Sequence, residues 1–69
     1  MYKEIIDTRL IIKIGEYGII RSKEELMLDN GKPLGAEVWY DVCLDHGDGD
    51  IVASFEDVNK AKQWAKENM

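Results

Sequence analysis

AEVWYDVCLDHGDGDIVASFED, residues 36–57, is the stretch from which the fold is read. Val38, Tyr40, Val42 and Leu44 form one alternating set; Glu37, Trp39, Asp41, Cys43 and Asp45 form the other. A two-residue period marks a strand with one face buried, so the even set is expected to meet the core and the odd set water or a partner. His46-Gly47-Asp48-Gly49 then supplies a turn, because Gly and Asp tolerate the backbone angles a turn needs. Ile51, Ala53 and Phe55 alternate with Val52 and Ser54 on a short final strand. The stretch contains no Lys or Arg and seven of the chain's fourteen acids: Glu37, Asp41, Asp45, Asp48, Asp50, Glu56 and Asp57.

Downstream, Ser54-x-x-Asp57 reads as a capping-box variant, the Ser54 hydroxyl accepting from the amide of residue 57. Glu56 and Asp57 in a first turn and Lys66 in a last one would suit the helix dipole. Val58, Ala61, Trp64 and Ala65 fall at helical spacing, which predicts an apolar stripe packed on the sheet.

Upstream, residues 3–14 (KEIIDTRLIIKI) read as a strand. Ile6, Thr8, Leu10, Ile12 and Ile14 are its expected core face, because the odd positions hold most of the charges. GEYG at 15–18 is a turn, and Ile19, Ile20 and Arg21 begin a returning strand. Ser22-Lys23-Glu24-Glu25 fits either one helical turn or a polar bend before Leu26-Met27-Leu28. Asp29-Asn30-Gly31 signals a hairpin turn of type I′, and Pro33, Gly35 and Ala36 an irregular edge.

The sum is a single α+β domain over residues 1–69, a small antiparallel sheet of four to five strands with a C-terminal helix packed on one face. The cadence GEYGII, VWYDVCLD, DIVASF is similar to that of small SH3-like barrels, which leaves a curled sheet as the alternative. That similarity rests on glycines and alternation and implies no activity.

Composition bounds the function. A chain of 69 residues buries only ~60% of its unfolded surface, so a deep ligand pocket would compete with its core. Nine bases against fourteen acids give a net charge of −5, the wrong sign for direct nucleic-acid or membrane binding. One cysteine forms no internal disulfide, residues 1–14 carry charges throughout, and no apolar run reaches membrane length. A reducing, cytoplasmic setting is expected.

The 45–50 turn invites comparison with a calcium loop, since hard cations need clustered carboxylates. With Asp45 first, Gly47 and Gly49 fall at ligand positions; with Asp48 first, Val52 does. Both registers fail, and weak cation binding is the most the turn supports. Cys43 and His46, three residues apart on a strand, are separated by ~10 Å and point to opposite faces, which suits neither nucleophile nor metal chemistry. Phosphate-cradling loops and paired catalytic carboxylates are missing as well. No catalytic residue, metal ligand or cofactor is therefore assigned, and an enzyme is not expected.

The candidate partner-binding surface is Glu37, Trp39, Asp41 and Asp45 with Asp48 and Asp50 of the turn. Tryptophan is enriched at binding hot spots, and here carboxylates flank it. The stripe is too sparse to imitate DNA: its acids recur every ~13 Å, against ~3.4 Å for phosphates along one strand. Docking on a basic protein surface fits better, as in a small phage-type regulator or inhibitor of a nucleic-acid-handling protein. The alternatives are a homo-oligomer, such as a homodimer, that buries outward Ile5 and Ile11, and a cation- or small-ligand-binding domain.

Overall fold

The sheet is a plain meander. In the computed structural model, which describes residues 1–69, strands β1 (Tyr2–Ile14), β2 (Tyr17–Met27), β3 (Pro33–Cys43) and β4 (Ile51–Phe55) lie in the order β1-β2-β3-β4. Every neighbouring pair is antiparallel. A single 3₁₀ turn (Asp45–Gly47) links β3 to β4, and helix α1 (Val58–Glu67) ends the fold. The expected α+β class is the one formed. The sheet stays open, with β1 and β4 as its edges, so it is not a closed, SH3-like barrel.

The core sits at one end of one face. Ile14, Tyr17, Ile19 and Val42 from the strands meet Ala61 and Ala65 of α1, and Tyr40, Leu44, Ala53, Phe55 and Trp64 pack round them. Ala61 and Ala65 are one helical turn apart and fully buried. Their small side chains let the helix lie close to the strands. Tyr17 and Trp64 meet edge to face, ring centroids 5.5 Å apart, and the Tyr17 hydroxyl donates to the Asn68 carbonyl at 2.9 Å. Lys66 lies in the last turn, as the dipole favours.

The strands outrun this core. The molecule is 44 Å long, about the reach of a 13-residue strand at ~3.3 Å per residue. The ten residues of α1 cover only ~15 Å, and β4 pairs with β3 only from Tyr40 to Cys43. Residues 2–9, 21–27 and 33–39 thus form a three-stranded arm beyond the helix.

Four local expectations are corrected. The even set of β1 is not a single core face, because register shifts between Ile5 and Asp7 and between Leu10 and Ile12 each insert a residue. Ile12 and Ile14 pair towards Ile19 and Tyr17 on the helix side, whereas Thr8 and Leu10 pair with Ser22 and Ile20 on the other. Residues 22–25 make neither a helical turn nor a bend. They continue β2, which has a partner strand on each side to satisfy its backbone. The Asp29-Asn30-Gly31 turn forms, but only Gly31 takes a positive φ (+85°) and its amide donates to the Leu28 carbonyl. Type I′ needs two residues with positive φ, so this is a type I turn closed by a left-handed glycine. The cap of α1 is Asp57, whose carboxylate accepts from the Asn59 amide at 2.7 Å. Ser54 is still in β4, and Glu56 and Asp57 precede the first helical turn.

Candidate functional site

Tyr40 and Val42 belong to the core side, so alternation puts Glu37, Trp39, Asp41 and Cys43 on the opposite, open face. Trp39 is half-buried there and forms a wall shared by two shallow recesses. The larger, about 420 Å³, runs across the sheet between Lys3 and Ile5 of β1, Glu24 of β2, Asp41 of β3 and Ile51 of β4. The smaller, about 210 Å³, lies where β4 has ended and is lined by Glu37, Val38, Trp39 and Glu56.

Asp41 is tied into the sheet. Its carboxylate accepts from Ser22 Oγ at 3.0 Å and from Ser54 Oγ at 2.7 Å, linking β2, β3 and β4 on the open face. Ser22 is only 6% exposed, so this carboxylate satisfies a buried hydroxyl. Glu37 is freer: its Oε2 accepts from Trp39 Nε1 and from Lys3 Nζ, both at 3.4 Å. Lys3 thus brings a positive charge to a face that reads as purely acidic along residues 36–57.

The 45–50 turn goes elsewhere. Asp45, His46 and Gly47 take positive φ in succession (+53°, +58° and +108°), and the backbone folds back on itself through amides donated to Leu44 and Asp45 carbonyls. The His46 amide donates to the Glu16 carbonyl at 2.9 Å. The turn passes so close over Gly18 that a side chain there would strike the His46 carbonyl, while Gly47 lies against Leu10 and Ile20. Asp45, Asp48 and Asp50 therefore cap the helix-bearing end of the open face and line neither recess. No three His, Cys, Asp or Glu side chains come together in a way that could hold a metal ion. Cys43 is buried, its Sγ 3.9 Å from the Asp41 carbonyl oxygen. Burial first, and the Asp41 charge second, push its thiol pKa above the ordinary value.

Of the six expected partner-binding residues, the structure gathers Glu37, Trp39 and Asp41 round the recesses and separates Asp45, Asp48 and Asp50 from them. Lys3, Ile5, Glu24 and Glu56 belong to the same surface; the sequence marked Ile5 only as an outward residue that a second copy would bury and Glu56 only for the helix dipole, and it singled out neither Lys3 nor Glu24. Reading β2 as a strand through Met27 would have set Glu24 opposite Glu37, and that pairing is the signal that was missed.

Comparison with known proteins finds no matching family model, curated protein or solved structure. No helix is long and apolar enough to cross a membrane.

Proposed function

We propose that the protein is a non-enzymatic interaction module that docks the open face of its sheet on a basic protein surface. The supporting observation is the setting of Trp39, between two recesses edged by Glu24, Glu37, Asp41 and Glu56, with Lys3 the one base among their lining residues. An Arg or Lys from the partner would enter the smaller recess between Glu37 and Glu56 and lie along the indole, joining ion pairing to cation–π attraction. Asp45, Asp48 and Asp50 would extend the negative field beyond the groove and steer the approach. A small regulator or inhibitor of a nucleic-acid-handling protein is the biological role to which this size and charge are suited.

The test uses an arginine-rich peptide as the defined probe, titrated against the intact chain by calorimetry at low and high salt. Trp39→Ala should cost ~2 kcal/mol or more of binding, about thirtyfold in affinity. Glu37→Lys should weaken binding further, and raised salt should weaken the wild type. Equal affinity for wild type and Trp39→Ala would refute the reading. Asp41→Lys is a poor probe, because it would break the links to Ser22 and Ser54 as well as remove a charge.

A further inference from the structure

The outer edge of β1 is unpaired over 13 residues. It carries Ile5, Ile6, Leu10, Ile11 and Ile12, each 36–63% exposed. Long apolar edges invite another strand, and proteins usually blunt them with charge, proline or bulges. β1 has no proline and has both charges and bulges, so what matters is which strand those features still admit.

We infer that the occupant is a second copy of this chain, paired antiparallel along β1 about a two-fold axis through Thr8. A two-fold contact requires the strand to match its own reverse. With Thr8 on the axis, Asp7 faces Arg9 of the second copy and Arg9 faces its Asp7, giving two opposite-charge pairs. Moving the axis to Asp7 or to Arg9 sets that residue against itself. The edge charges thus exclude the neighbouring registers and support this one.

The two bulges fit the same axis. Cross-strand partners must share a sheet face, and each inserted residue switches the face on which the following residues lie. In the Thr8 register, the insertion near Ile6 in one copy falls beside the insertion near Ile11 in the other. The switches cancel. Glu4 meets Ile12, and Tyr2 meets Ile14, with the members of each pair on the helix side in both copies. At the bulges themselves, Ile6 comes opposite Leu10 and Ile5 opposite Ile11. Lys3 and Lys13 oppose each other only at the ends, and Lys3 is already drawn inward towards Glu37. The other free edges are poorer templates: β4 is only five residues long, and β3 before Tyr40 begins on Pro33 and carries Gly35.

The product is one continuous eight-stranded sheet, with the open faces of both copies on the same side. The inference uses the β1 edge and does not depend on the Trp39 docking surface.

Sedimentation velocity at micromolar concentration should show a dimer. Arg9→Asp, which sets acid against acid twice, should weaken it roughly tenfold or more, and Asp7→Arg with Arg9→Asp should restore it. Thr8→Cys should form a disulfide-linked dimer on oxidation, since paired strands hold Cα atoms ~4.5–5.5 Å apart, within disulfide reach. Glu4→Cys, far from its own symmetry mate, should not cross-link. Thermal melting followed by circular dichroism checks that each variant folds. A wild type that stays monomeric overturns the inference. So does a dimer indifferent to Arg9→Asp, or one that Glu4→Cys cross-links as readily as Thr8→Cys. Loss of peptide binding by Trp39→Ala, with dimerisation unchanged, would show that the two surfaces act separately.

Discussion

Asp41 lies in the middle of the candidate surface, yet its carboxylate is occupied by two hydroxyl groups of its own fold. Replacing it with alanine leaves the Ser22 hydroxyl, 6% exposed, without its acceptor. An orphaned buried polar group costs about 1–3 kcal/mol. Asp41→Ala should therefore lower the unfolding free energy by that amount, read in equilibrium unfolding as a lower urea midpoint at an unchanged slope. Trp39, half-buried and outside the core cluster, is the better residue for separating binding from folding. Glu37 belongs with it, because its contacts with Lys3 and Trp39 are long and lie on the surface.

At the level of elements, the start of α1 gives a sharp comparison. Asp57→Ala should cost about 1 kcal/mol, as the loss of an N-cap does. Ser54→Ala should lose the hydrogen bond to Asp41 instead and leave the cap intact. Unfolding of the double variants distinguishes the two. Ser54→Ala should be non-additive with Asp41→Ala, because they share one hydrogen bond, while Asp57→Ala should be additive with it. The same elements show what was legible beforehand. β3, β4 and α1 follow from periodicity, because each places one face on the core. The faces of β1 do not, because its inserted residues, Ile6 and Ile11, look like any other strand isoleucine. Residues 22–25 are polar and charged, and only their pairing with residues 4–8 and 36–39 makes them a strand. The site divides along the same line. Glu37 and Trp39 are visible from alternation, whereas Lys3 and Glu24 join them through a cross-strand register that no local pattern records.

Across the whole molecule, stability is concentrated where α1 covers the sheet. Amides in β2 and β3 near Ile19 and Val42, both fully buried, should exchange with solvent only through global unfolding. Amides at the far tip, around Met27 and Leu34, should exchange much faster, as measured by native-state hydrogen exchange under conditions that keep the chain monomeric. Formation of the β1–β1 dimer should slow exchange along β1 selectively. The two tryptophans lie on opposite sides of the sheet, Trp64 edge to face with Tyr17 against the core and Trp39 beside the carboxylates of the open face. The chain thus carries its own pair of fluorophores. Emission from one follows the integrity of the interior, and emission from the other registers whatever settles on the exterior, without any label being attached.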